Sequence, residues 1–241
     1  MQSDDQVLIA RVEAVRAKRG FLLPHHGLLA AMSETMLARY DALYTALALE
    51  RKALDERARE FVWLCVLIAT DEAIASHHVA RFRQGGGTAE EIATAIRLTA
   101  WAVGAPAYTF VAEHWAQHLG DVPIGDRYRA DLATNAGGVA LRTAIPAVAA
   151  VHAARGHHAL LARAITFAYA TGVPEVELAE ALTIMMFPGS VPRFVEAARV
   201  WLDLIRAGMV QPSPAFAAWA RLQGQGGFDE AAARPAAAAG Q

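Results

Sequence analysis

Along most of the chain, apolar residues return every three or four positions, the period of a helix with one buried side. Residues 4–19 place Val7, Leu8, Ala10, Val12 and Val15 on one side, and Gly20 closes the helix. Phe21 to Gly27 (FLLPHHG) interrupts the pattern and reads as a loop. Ser33 then caps a helix striped by Met36, Leu37, Tyr40, Leu43 and Leu47. Asp55 caps the next, which runs through Phe61, Val62, Leu64, Cys65 and Ile68. In each case a side-chain oxygen is placed to accept an orphan backbone N–H of the first turn. Thr70-Asp71-Glu72 is a further start signal inside the apolar stretch and predicts a break near Thr70. The glycines at 85–87 end the following helix. Thr88 and Glu91 form a capping box for the one after it. Pro106 opens a helix over 106–119 with Tyr108, Phe110, Val111 and Trp115. Gly120 to Gly138 reads as a polar connector with a short helical piece, Arg127–Ala133.

After the connector the pattern returns. An offset of 86 residues lays Gly86-Gly-Thr-Ala-Glu-Glu-Ile over Gly172-Val-Pro-Glu-Val-Glu-Leu, Pro106 over Pro192 and Trp115 over Trp201. This predicts an all-α fold of two related helical halves. The organisation expected is an N-terminal helical arm (1–34), a first repeat (35–120), the connector (121–138), a degenerate second repeat (139–222) and a disordered Ala-rich tail (223–241). Under the offset Glu60 falls on Pro146 and His78 on Ala164, so the second half lacks the acid and the imidazole of the first.

Composition narrows the class. Of 241 residues 55% are hydrophobic, yet charges interrupt every stretch long enough to span a bilayer, and the start has no signal-peptide core. The net charge of −2, with both signs interspersed, offers no footprint for nucleic acid or an anionic membrane. One cysteine gives no disulfide framework. A cytoplasmic protein is the simplest reading. No phosphate loop, dinucleotide fingerprint, Gly-x-Ser-x-Gly or zinc signature is present, so no cofactor and no metal are expected.

The ionisable groups concentrate between Leu54 and Pro106. Glu60 and His78 are 18 residues apart, roughly 27 Å on one straight helix, but a helix hairpin turning near Thr70 lets them meet. Together they make a proton relay, with the carboxylate orienting an imidazole that titrates near neutral pH; the plainer role is an ion pair holding two helices. His77 points about 100° away from His78. Asp71 lies two turns before His78; with Glu72 it is either part of the site or a first-turn acid favouring the helix dipole. Arg59, Arg81 and Arg83 are candidates to hold a substrate carboxylate, or form a solvated face. The pairs His25-His26 and His157-His158 are left open as contributors to a pocket. His114 and His118 have chelating spacing without a third ligand, and an exposed helix accounts for them.

The segments LDERAREFVWL, HHVARFRQGGGTAEEIATAI and GAP, in that order, resemble the carboxymuconolactone decarboxylase family, which includes the alkylhydroperoxidase D proteins. Arg59-Glu60 matches the family's Arg-Glu, and His78 its histidine, at the family's distance from Gly86. The family's two cysteines would fall at Asp71 and Ile74, and the chain is one residue shorter between Glu60 and His78. The resemblance therefore implies the alkylhydroperoxidase D-like helical fold and a homo-oligomer, without the dithiol peroxidase cycle. It points to a lyase of the decarboxylase kind acting on a small carboxylated or lactone substrate. On this reading His78, Glu60 and Asp71 are catalytic, and His77, Arg59, Arg81 and Glu72 bind substrate. A non-catalytic binding or assembly protein of the same fold, and a lactone hydrolase or isomerase, are the alternatives.

Overall fold

A computed structural model describes residues 4–227, apart from 51 and 121, and residue 230. Among the described residues the fold is helical throughout. The N-terminal stretch holds α1 (Asp4–Arg19) and α2 (Pro24–Met32), followed by α3 (Glu34–Tyr44), which a π-helical turn (Thr45–Leu49) prolongs. The first half continues with α4 (Glu56–Ala69), α5 (His77–Gln84), α6 (Ala89–Gly104) and α7 (Pro106–His114). Next come α8 (Ile124–Ala136), α9 (Leu141–Arg155), α10 (His158–Ala170), α11 (Glu175–Ile184), α12 (Met186–Gly189), α13 (Val191–Arg206) and α14 (Pro214–Arg221). No single described helix is long and apolar enough to cross a membrane.

The start signals act largely as read. Ser33 accepts from the N–H of Met36 at 3.4 Å, Asp55 from that of Ala58 at 2.8 Å, and Thr88 and Glu91 close their capping box. Four expectations are corrected. FLLPHHG is not a loop throughout: Pro24 opens α2, because its fixed φ and missing N–H suit a first helical position. The helix from Pro106 stops at His114 and yields to a 3-10 turn over Ala116–His118. The connector holds a full helix, α8, because Tyr128 and Leu132 on one of its faces are buried in the main core. The fourth concerns Thr70. A break does fall there, but Thr70 closes α4 rather than opening a helix, returning its hydroxyl to the Val66 carbonyl at 2.9 Å. Asp71 turns the chain at φ 57°, and α5 begins only at His77. The tail beyond 227, expected to be disordered, lies almost wholly outside the described residues.

The core lies between α4 and α9, which pack on each other and collect α6, α10 and α11 around them. Ten of the fourteen residues of α4 are buried, among them Phe61, Val62, Trp63 and Leu64. That is an all-round apolar helix, as expected of one surrounded by others. Glu180 of α11 ties the halves together, its carboxylate accepting the N–H groups of Ala53 and Leu54 at 2.8 Å each. The arm keeps a small core of its own, Val15, Ala30 and Leu37, separate from the main one. It is fastened through Arg19, which bonds Asp41 and stacks its guanidinium 4.2 Å from the centre of the Tyr44 ring.

Candidate functional site

Glu60 and His78 meet at the centre of the first half. Glu60 is fully buried on α4, nine residues before its end, and His78 is the second residue of α5. They do not face each other across a symmetric hairpin. The seven residues 70–76 run back along α4, which their extended reach allows, and deliver the first turn of α5 to the level of Glu60. The imidazole Nδ1 then stands 2.6 Å from Glu60 Oε2. Trp63 stacks on the His78 ring at 4.3 Å and 21°.

On its far side His78 reaches Tyr44. The Tyr44 hydroxyl lies 3.5 Å from His78 Nε2 and 2.9 Å from His77 Nε2, and accepts an N–H from Arg81 at 3.2 Å. With its oxygen already accepting from Arg81, the phenol is free to donate its proton to one of the imidazoles. Tyr44 thus joins Glu60, His78, His77 and Arg81 into one hydrogen-bonded chain. Sequence reasoning passed over it. The available signal was its place four residues after Tyr40, on the face of α3 that Tyr40 shares.

This chain of groups opens on a cavity of about 500 Å³, within the usual range for small-molecule sites. The arm supplies Leu23, Pro24, His25, Leu28 and Leu29, and α3 supplies Tyr40 and Tyr44. The first half supplies Trp63, Leu67, Glu72, Ile74, Ala75, His77 and His78. The second half adds Phe187 and Pro188. His25 therefore does line the pocket, its ring 4.9 Å from that of Tyr40, while His26 is turned away to accept the N–H of Leu23.

The remaining candidates are placed differently. Asp71 is exposed at its left-handed turn and is not part of the cavity wall. Glu72 is part of it, its carboxylate accepting the N–H of Ile74 at 2.9 Å. Neither Arg59 nor Arg81 lines it. Arg59 is buried, with Nε 3.8 Å from Glu60 Oε1, and faces a different, polar cleft with Asp55, Glu56 and Arg57. Arg83 and His158 are exposed, the latter bonded to Glu196, and His157 stands beside His152 in the second half.

Residues 34–118 match the model of the Carboxymuconolactone decarboxylase family. That segment is similar to the family. It contains Glu60, His77, His78, Tyr40, Tyr44 and Trp63, so the whole hydrogen-bonded chain falls inside the carboxymuconolactone decarboxylase segment. The cover of the cavity does not: His25 and the leucines of α2 precede the segment, and Phe187 follows it. No curated protein and no solved structure matches the chain significantly.

Burial sets the protonation of the central pair. It raises the Glu60 carboxyl to about 7, against the opposing pull of Arg81 and Arg59. Together with Arg81 and Arg59 it lowers His78 to about 3. Burial thus disfavours the charged form of each group, and the 2.6 Å contact lets one proton be shared between Glu60 and Nδ1. With two protons, Glu60 is a carboxylic acid bonded to Nδ1, and Nε2 carries hydrogen. With one, Glu60 is a carboxylate, Nδ1 carries the hydrogen and Nε2 is a free base. A proton can thus be handed out or taken up at Nε2 as Glu60 gives or receives one at Nδ1. The buried Cys65 offers no comparable chemistry, since burial pushes its thiol up to about 12.

Proposed function

We propose that the protein is a cofactor-free acid–base enzyme: a lyase of the decarboxylase kind, acting on a small carboxylated or lactone substrate, with Glu60 and His78 as the proton relay. The observation that carries this reading is the 2.6 Å contact between Glu60 and His78 at the wall of a largely apolar cavity. In decarboxylation the C–C bond electrons remain on the substrate carbon. His78 Nε2 gives that carbon its proton, and the Glu60 proton moves to Nδ1, which leaves carboxylate and neutral imidazole. The same relay started from its one-proton state removes a proton from carbon, which is the chemistry of a lactone isomerase. The family segment supports the substrate class. His77 and Tyr44 are placed to orient a substrate oxygen, and Asp71 has no role in this reading.

The test is turnover of a panel of small lactones and carboxylates by wild type and His78→Ala. Loss of a positioned acid–base group is expected to cost about 10²–10⁴-fold in rate, with the far-UV helical signal unchanged. The pH profile carries the sign. A proton-donating step needs Glu60 protonated, so its rate falls as pH rises through about 7; a proton-abstracting step rises through the same value. Glu60→Gln should remove that inflection in either case. If His78→Ala unfolds the protein while its folded fraction keeps full activity, the histidine is structural and the proposal fails. If nothing in the panel is turned over but ligands still bind, a binding protein of this fold replaces the enzyme.

A further inference from the structure

The cavity has a floor and a cover of different origin. On the floor, Trp63 and Leu67 belong to the main core, and Phe187 packs against it. The cover is α2 and the link before it, which contribute Leu23, Pro24, His25, Leu28 and Leu29. That cover is not built into the main core. Helix α2 packs on α1 and α3, around the small separate core of Val15, Ala30 and Leu37. Arg11 of α1 strengthens the pairing by donating to the Ala30 carbonyl at 3.0 Å. Among the described residues, the hydrogen bonds of residues 20–33 reach no further along the chain than α3. A segment so lightly tied to the body it covers opens at a lower free energy than the body unfolds.

Such an opening has a joint and a fastening. Ser33 alone separates α2 from α3, in an extended conformation (φ −168°, ψ 125°), so a change in one residue's dihedrals swings α2 and, with it, α1. The fastening is Asp41 of α3. It accepts Lys18 at 2.6 Å and Arg19 at 2.8 Å, and the Arg19 side chain is 2% exposed. Two ring contacts then run from the cover to the hydrogen-bonded chain of the site. Arg19 lies over the Tyr44 ring, and Phe21 packs on His77 at 4.5 Å. Closure therefore completes the surroundings of Tyr44 and His77 in the same movement that covers the cavity.

We propose that α1 and α2 form a cap that swings as one piece about Ser33, with the Asp41 pairs as its latch, and that ligands reach the cavity when it opens. The proposal concerns access and not reaction, so it stands or falls independently of the Glu60–His78 relay.

The test uses the one native thiol as its internal control. Cys65 is 1% exposed in the main core, so its alkylation reports unfolding of the body. Leu67→Cys places a second thiol on the cavity floor, at a position 8% exposed. Alkylation of both thiols by N-ethylmaleimide, in the full chain at neutral pH, is followed site by site by mass spectrometry. The introduced thiol should react at least about tenfold faster than Cys65, because local opening costs less than global unfolding. Asp41→Asn should speed the introduced thiol about tenfold further, the worth of a charged hydrogen bond, and leave Cys65 unchanged. Phe187→Cys, elsewhere on the cavity wall, replaces Leu67→Cys should that variant fail to fold, with the same acceleration expected. Equal rates at the introduced thiol and Cys65 mean that the cavity opens only when the body unfolds, and overturn the proposal. So does an introduced thiol whose rate Asp41→Asn leaves unchanged, since the cap is then not what shields it. Acceleration of both thiols alike by Asp41→Asn overturns it too, by showing general destabilisation in place of a released latch.

Discussion

The turns that end α5 and α10 share a hydrogen-bond pattern, while the stretches around them differ in chemistry. At the turn that ends α5, the N–H groups of residues 85, 86 and 87 bond the carbonyls of 81, 83 and 82 at 2.9, 3.0 and 2.8 Å. At the turn that ends α10, those of 171, 172 and 173 bond 167, 169 and 168 at 3.0, 3.2 and 2.9 Å. Each donor and acceptor is displaced by 86 residues, and Gly86 and Gly172 sit at φ 87° and 71°, a region that favours glycine. Helices α4 and α9 begin and end within a residue of the same offset. The interiors diverge. Where the first half buries Glu60 against His78, the second buries Pro146 and Ala164 in apolar surroundings. Around α9 and α10 the helices pack without an acid–imidazole pair at these positions. A buried acid and imidazole are costly to desolvate, and the contact of the two at 2.6 Å has no counterpart at Pro146 and Ala164.

The largest expected effect breaks the comparison from the architectural side. Trp201 on α13 is buried, stacks on Phe216 at 4.9 Å and donates its N–H to Tyr169. Trp201→Ala should cost about 3–5 kcal/mol of stability, read from urea unfolding, with ligand affinity of the folded protein little changed. The ordering is the reverse of that expected for His78→Ala. If Trp201→Ala weakens ligand binding before it lowers stability, the division of labour is wrong.

A smaller effect tests the pair itself. Glu60→Leu alone strands His78 Nδ1 and should destabilise by about 1–3 kcal/mol. Converting both, Glu60→Leu with His78→Leu, copies the apolar solution of the second half. It should restore wild-type stability or exceed it by about 1–2 kcal/mol, as happens when buried charged pairs are replaced by apolar residues. A double variant less stable than the single would make the pair a structural element after all.

How much of this was legible in the sequence depends on whether a feature is local. Caps are local: Ser33, Asp55 and Thr88 act where their spacing put them, because each needs only its own first turn. The Glu60–His78 meeting was legible because a break was required between them, although the break works by carrying the chain back along α4 and not by a tight turn. The rest of the cavity was not legible. Tyr44, His25 and Phe187 reach it from α3, α2 and α12, elements whose relative placement no local pattern encodes, and Phe187 stands in a Met-Met-Phe run that reads as core. Asp71 misled for a related reason. It occupies a cysteine position of the family pattern, but the left-handed turn leaves it exposed.

A further contrast lies in the histidines. The second half has a buried imidazole of its own, His152, but it is held by the Tyr128 hydroxyl at 2.9 Å and not by an acid. Burial, with His157 nearby, lowers it from 6.5 to about 3. A depressed histidine contributes stability that is present above its unfolded value and lost as pH falls toward the folded one. Melting temperature should therefore fall as pH drops below about 6.5, and His152→Gln should flatten that slope while leaving the activity inflection near neutrality in place. An unchanged acid slope in His152→Gln would assign acid sensitivity to other groups.

The smallest expected effect concerns the sole cysteine. Under the offset of 86, Cys65 falls on Val151, and both are about 1% exposed in the same core. The thiol is held far from ionisation by burial, makes only a weak contact with the Ala95 carbonyl at 4.0 Å, and has no second cysteine to complete a dithiol. Thiolate, not thiol, is the reactive form, so Cys65 should behave as a small apolar residue, as Val151 does. Cys65→Val should change stability by less than about 1.5 kcal/mol, the range for apolar swaps of similar volume. Peroxide turnover with a dithiol reductant should be at background in both proteins. Robust turnover in wild type that disappears in Cys65→Val would show that the core opens to expose a reactive thiol, and would place redox chemistry at a core position that is apolar under the offset.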